Sequence, residues 1–312
     1  MARLALRALA ILAGTIFVAS SGIFFLIHLS GDPTYGFLPV NTSPEIRESV
    51  RDRLGLDQPL VTQYVMFLRD AFTLDFGYSW SLRQPAAEAV LRVFPATLQL
   101  ALIGTVSAVV VGVVLGVITS ARRSGPLEWV LSATTLVGLA IPGFWLGTLL
   151  ILLFAVELGW FPSSGSAGLR SMVLPIIALT LHPASMIARL VRANMRDVES
   201  TMYIRTARAK GLPARAVQWR HMLPNAVLPA VAYVGLHAAG LIGGAIVIES
   251  VFAWPGVGRM ALQAALERDM PVIHAFVVLS AVMVTMVNIL VDLTAMAIDP
   301  WLRSSQVMSH AT

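Results

Sequence analysis

The residues suited to bond chemistry are few and poorly grouped. Ser163, Ser164 and Ser166 could supply a hydroxyl nucleophile, with His182 or His237 as base. Such a mechanism needs a base within reach and a further group that orients the base. Ser163-Ser164-Gly165-Ser166 falls between apolar stretches, without a nucleophile turn, and neither histidine has an evident Asp partner. The six histidines, His28, His182, His221, His237, His274 and His310, lack the spacing of a metal motif such as HExxH, and cysteine is absent. They are read as packed or solvated side chains. A phosphate-cradling loop requires Lys followed by Ser or Thr, but the single lysine, Lys210, precedes Gly211. No catalytic residue, metal or cofactor is therefore expected, and this chain should not bind ATP by itself.

What must position any remaining function is apolar. The 312 residues are 57% hydrophobic and 12% charged, against roughly 25% charged for a soluble domain. The net charge of +5 is spread among loops instead of forming one patch, which argues against nucleic acid and for membrane orientation. Six stretches are long enough to cross a hydrocarbon core of about 20 helical residues: 7–29, 96–120, 129–155, 172–191, 226–251 and 273–297. The first could be a cleaved signal peptide with Val18, Ala19 and Ser20 near the cut. Its apolar run continues to Leu29, beyond the roughly 7–15 residues of a signal core, so it is read as a retained anchor.

Arg3 and Arg7, Arg122 and Arg123, and the arginines from Arg189 to Arg220 fall on one side of these spans. The positive-inside rule makes that side, and both termini, cytoplasmic. The outer segment 30–95 carries six Arg against eight acidic residues. Within it, Ser43 and Pro44 should open a helix with an Ile46, Val50, Leu54 stripe that Gly55 ends, and a second amphipathic stretch runs from Pro59 to Phe72. The expected organisation is an N-terminal span (1–29), a periplasmic segment with short helices (30–95), a five-helix core (96–302) and a cytoplasmic tail (303–312).

Three spans carry GxxxG spacing, at Gly112 and Gly116, Gly143 and Gly147, and Gly240 and Gly244. Small residues one turn apart let helix backbones approach, and packing within this chain is the expected use. Pro142 should kink the third span. Glu249 and Asp292 are read as reaching interfacial water, and Trp160, Phe161 and Trp254 as an outer aromatic belt.

The most informative stretch is Tyr203-Ile204-Arg205-Thr206-Ala207-Arg208-Ala209-Lys210-Gly211-Leu212-Pro213, within loop 192–224 and followed by Met222-Leu223-Pro224-Asn225-Ala226. Thr201 can cap a short helix that Ala207 and Ala209 favour, Lys210 suits its C-terminus and Gly211 can end it left-handed. Pro213 then starts a second short helix containing Val217 and Trp219. A helix, glycine hinge and helix studded with arginine suits docking to a soluble partner; contact with anionic lipid is the alternative.

At these residues the chain resembles the permease subunits of bacterial ATP-binding-cassette importers, specifically the dipeptide, oligopeptide and nickel permease family. The family signature is Glu-Ala-Ala, three residues, Gly, nine residues, then Ile, any residue, Leu and Pro. Gly211, Leu223 and Pro224 match at the right spacing, as does Ala207, while Arg205, Thr206 and His221 depart from it. The peptide branch itself favours Arg-Thr-Ala-Arg-Ala-Lys-Gly. Further similarity lies at Gly31-Asp32-Pro33, Leu54 to Leu60, Phe76 to Ser79, Pro95 to Leu98, Pro142 to Trp145, Leu158 to Trp160, Phe252 to Arg259 and Ile298 to Pro300.

The resemblance implies an all-α, type I ABC importer permease in the bacterial inner membrane. It also implies a second homologous permease, two ATP-binding subunits and a periplasmic or lipid-anchored substrate-binding protein as partners. Arg205 to Pro213, with Leu223 and Pro224, would then form the coupling loop. Di- or oligopeptide is the implied cargo, nickel or another small solute the alternative cargo, and a secondary transporter the alternative class.

Overall fold

The structure, a computed structural model, describes residues 2–29, 38, 42–53, 56–121 and 125–298; within these, the side chains of 2–5, 7, 53, 127, 236–244 and 290–298 are outside the description. The expectations at Leu54, Gly55, Arg122, Arg123 and His310, and for the side chains of Arg3, Arg7, His237, Gly240, Gly244 and Asp292, therefore lie outside the described residues. The chain divides into two compact units, Met1–Thr97 with Pro255–Leu290, and Leu98–Trp254 with Val291–Thr312.

In the first unit, α1 (Ala2–Leu29) is followed by α2 (Pro44–Arg53) and α3 (Leu60–Thr73). α2 opens at Pro44, with Arg47 N–H donating to the Ser43 carbonyl at 3.0 Å, but Ile46 of its stripe is 54% exposed. A short hairpin, β1 (Tyr78–Ser79) and β2 (Gln84–Pro85), pairs Tyr78 with Pro85 and Ser79 with Gln84. It leads into α4 (Ala86–Ala121), a helix of 36 residues and thus about 54 Å, longer than the roughly 30 Å hydrocarbon layer. The extra length precedes the expected span. Ala86 and Val90 bury there with Ala71 and Phe76, and with Val257, Ala264, Val272 and Val278 of α12 (Val257–Glu267) and α13 (Met270–Ile298).

Asp269, fully buried at the start of α13, fastens the hairpin. Its Oδ2 accepts from Ser79 Oγ at 2.6 Å, Ser81 Oγ at 2.7 Å and Ser81 N–H at 3.2 Å. A buried carboxylate is tolerable here because several donors converge on it.

The second unit is built on α7 (Arg170–Glu199), surrounded by α5 (Pro126–Ala140), α6 (Gly143–Leu150) and α11 (Leu228–Val251). The third apolar stretch bends at Pro142, as expected, but far more sharply than a kink. Its two halves, Glu128–Ala140 and Gly143–Glu157, meet at 108°. The residue before a proline avoids helical geometry, and Pro142 has no N–H to donate. Accordingly Ile141 is extended at φ −81°, ψ 123°, and Pro142 follows at φ −62°, ψ 135°. Among the described residues, four helical segments are long and apolar enough to span a membrane, Ala8–Leu29, Ala86–Ala121, Arg170–Glu199 and Met270–Ile289, or five with the bent pair counted as one. α11 covers the fifth apolar stretch.

Glycines set the distance between α4 and α7. A Cβ on Gly112 would fall 2.7 Å from Ala184 O and Ile187 Cβ, and one on Gly116 2.7 Å from Val191 Cβ. Gly143 has ordinary room, with Ala178 O at 3.5 Å, whereas Gly147 meets Phe252 at 3.0 Å. Gly138, outside any GxxxG pair, is also crowded, since a Cβ there would overlap Ser185 Oγ.

Two expectations fail at the end of α11. Glu249 is 0% exposed and Trp254 2% exposed, so neither reaches an interface as a solvated carboxylate or a belt aromatic within this chain. Ala253 takes a left-handed φ of 49°, and Trp254 N–H turns back to donate to the Glu249 carbonyl at 2.8 Å. This reversal draws the indole inward. Trp160 remains exposed and Phe161 half-buried.

Candidate functional site

The stretch after α7 forms a helical hairpin whose shape follows from local residue types. α8 (Met202–Ala209) begins after Thr201, which is extended at φ −72°, ψ 151°. The expected side-chain cap is absent. Thr201 Oγ1 instead donates back to the Val198 carbonyl at 2.6 Å, so the hydroxyl secures the turn from α7 and leaves the first N–H groups of α8 uncapped by it.

Gly211 ends the helix with φ +77°. Its N–H donates to Arg208 O at 2.9 Å, and Leu212 N–H reaches Ala207 O at 3.4 Å. A residue with a Cβ is disfavoured in that conformation by about 1–2 kcal/mol. Nothing lies within 4 Å of where a Gly211 Cβ would stand, so the constraint there is backbone conformation and not space.

After Pro213 the chain re-enters helix as α9 (Ala214–Ala216), a π-helical turn over Val217–Met222 and α10 (Leu223–Ala226). Pro224 cannot donate to the carbonyl four residues earlier, at Arg220, and a wider turn accommodates that missing bond. The helix expected from Pro213 thus continues past Trp219 to Ala226.

The hairpin is anchored on one side and open on the other. Ile204, 0% exposed, is buried with Ala207, Val217 and Met222 in a cluster that includes Val191, Met195 and Ala226. Two polar contacts brace it: Arg208 pairs with Glu199 at 2.5 Å, and Asn225 Nδ2 donates to Tyr203 Oη at 3.0 Å. Arg205, Thr206, Arg208, Ala209, Lys210, Gly211, Leu212, Pro213 and Arg215 are exposed, as are Trp219 and Pro224, while Leu223 is half-buried.

The structure therefore brings the Arg205 to Pro213 residues and Leu223-Pro224 onto one braced element, whose tip mixes cationic and apolar side chains. Nothing in this arrangement joins a nucleophile to a base. Sequence reasoning missed the two braces. Tyr203 and Asn225 are 22 positions apart, and only a tertiary fold makes them neighbours.

Comparison with known proteins agrees with the fold. Residues 108–304 match the family described as binding-protein-dependent transport system inner membrane component. Over 290 residues the chain is 38% identical to the glutathione transport system permease protein GsiC of Escherichia coli K12, covering 93% of this chain and 95% of that protein. The GsiC protein of Shigella dysenteriae matches to the same extent. Among solved structures, a chain of the MetNI methionine ABC transporter superposes with a TM-score of 0.58 at 23% identity, over 68% of this chain and 96% of that chain; this is a likeness of fold. With the family match spanning most of its apolar core and the permease relatives spanning nearly its whole length, this chain belongs to the binding-protein-dependent transport system inner-membrane components, as a permease subunit of an ABC importer.

Proposed function

We propose that the chain forms, with a second similar permease, the translocation path for di- or oligopeptides, and that loop 192–224 couples this path to ATP-binding subunits. The observation that carries the coupling reading is the hairpin. Buried Ile204, Ala207 and Val217 hold an exposed Arg205 to Arg215 tip, which suits transmission of a push from a docked soluble partner. Six spans with both termini cytoplasmic place this tip inside the cell, as the arginine distribution favours.

The peptide reading is supported by the GsiC relatives, whose named cargo, glutathione, is itself a tripeptide. ATP hydrolysis belongs to the partner subunits, because the single lysine is followed by glycine and cannot serve a phosphate loop. A periplasmic or lipid-anchored receptor delivers the cargo. The test is co-purification of the chain with its partners, followed by uptake of labelled di- and tripeptides into vesicles containing the complex. ATP-dependent uptake competed by peptides and not by nickel supports the reading. Uptake driven by an ion gradient without ATP-binding partners defeats it.

A further inference from the structure

A second cationic feature lies in the same unit, away from the hairpin. Arg189, Arg192 and Arg196 recur three and four residues apart on α7 and so share one face. With Ser132, Thr135 and Leu136 of α5 they line a groove of about 270 Å³. One acidic residue answers them. Arg192 donates to Glu128 and to Ser132 Oγ, and Ser132 donates to Glu128 at 3.1 Å, a bridge that ties α5 to α7.

That bridge neutralises one of three guanidinium charges. Arg189 and Arg196 are exposed; Arg196 acts on Glu128 through its charge alone, and neither side chain makes a hydrogen bond or close ion pair among the described residues. The hydroxyls are already committed, since Thr135 Oγ1 donates to the Ser132 carbonyl at 2.8 Å. The groove's remaining donors are therefore guanidinium N–H groups, including those Arg192 does not use, and their fork matches the oxygens of a phosphate.

The surroundings indicate which phosphate. Trp129, one turn before Ser132, is 71% exposed, and Val130, Leu136 and Val137 of the same helix are also exposed. In an inner-membrane protein such a face meets acyl chains, and tryptophan favours headgroup depth. The arginines lie in the C-terminal half of helix α7, toward the end of its span, where basic pockets between helices suit anionic headgroups.

We propose that the groove between α5 and α7 binds the headgroup phosphate of an anionic phospholipid through Arg189, Arg192 and Arg196, with its acyl chains along the exposed face of α5. Arg192 and Arg196 belong to the α7 end of loop 192–224, outside the Arg205 to Pro213 tip, and the site is independent of the cargo.

The test is native mass spectrometry of the detergent-purified importer complex, titrated with phosphatidylglycerol, cardiolipin, phosphatidylethanolamine or inorganic phosphate. Anionic lipids should be retained in preference to phosphatidylethanolamine. Arg189→Gln with Arg196→Gln should weaken that retention roughly tenfold. Arg189→Lys with Arg196→Lys, which keeps charge but loses the fork, should fall between, and remains informative if the Gln pair does not assemble. The charge-matched Arg83→Gln with Arg92→Gln should behave as wild type. Equal retention by wild type and the groove variants overturns the proposal, as does equal retention of phosphatidylethanolamine, or retention of phosphate without lipid.

Discussion

Gly112 and Gly116 offer a quantitative test of how the second unit is held together. Carbon atoms pack best about 3.5–4.0 Å apart, yet a Cβ at either position would stand 2.7 Å from the nearest α7 atom. Ala therefore forces α4 and α7 apart by about 1 Å or displaces Ile187 and Val191, both buried in the cluster beneath the hairpin. Overpacking of this kind costs about 1–3 kcal/mol per site. Because both glycines face one helix, the double variant should depart from additivity. Gly104 is an internal control on the same helix. Its Cβ would meet Leu179 Cβ at 3.4 Å, an ordinary contact, and Ala there gains up to ~1 kcal/mol in helix propensity. Thermal unfolding of the purified complex, followed by tryptophan fluorescence, should show Gly112→Ala and Gly116→Ala melting several degrees lower and Gly104→Ala unchanged or higher. If all three melt alike, close approach of α4 and α7 is not what these glycines provide.

Three further outcomes are expected. Asp269→Ala removes the acceptor for Ser79 and Ser81 and should cost about 2–3 kcal/mol, read as a lower melting temperature and faster proteolysis between Tyr78 and Pro85. Burial, then the neighbouring Asp75, raises the Asp70 pKa above its ordinary 3.8, so its ionised form is disfavoured by folding. The stability present below pH 3.8 is lost as pH rises through the folded-state value. Asp70→Asn should therefore stabilise at neutral pH and lose that advantage on acidification, as a melting-temperature series against pH will show. Single cysteines placed in the cysteine-free chain test orientation: Ser164→Cys should react with an impermeant thiol reagent in spheroplasts and Arg215→Cys should not.

Much of the architecture was legible because its signals are local. Long apolar runs must satisfy their backbone within the segment, so they become helices whatever their neighbours. The hairpin was equally readable from Gly211 and Pro213, whose backbone limits act within a few residues. What escaped depends on distant contacts. Pro142 announces an interruption, but the 108° turn requires an extended Ile141 and the seating of Gly147 against Phe252. α12 is short, and its Val257, Ala261 and Ala264 spacing was masked by Arg259 within it and Arg268 at its end. Ser79 and Asp269 are 190 positions apart, and the inward turn of Glu249 and Trp254 rests on a left-handed alanine that propensity disfavours. Thr201 was placed correctly, yet its hydroxyl had a competing carbonyl one turn back.

If the hairpin carries force between the ATP-binding partners and the transmembrane helices, as proposed, Gly211→Val should interrupt that transmission. At φ +77° a β-branched residue is strained by at least ~1–2 kcal/mol, with no steric conflict elsewhere, so the hairpin tip should be re-aimed while the apolar helices still insert. The measurement is receptor-stimulated ATPase and peptide uptake in proteoliposomes, with wild-type and variant complexes matched for recovery of the ATP-binding partner. The expected result is retained assembly with stimulation and uptake both lost. Normal stimulation and uptake by Gly211→Val would remove the hairpin from the coupling path.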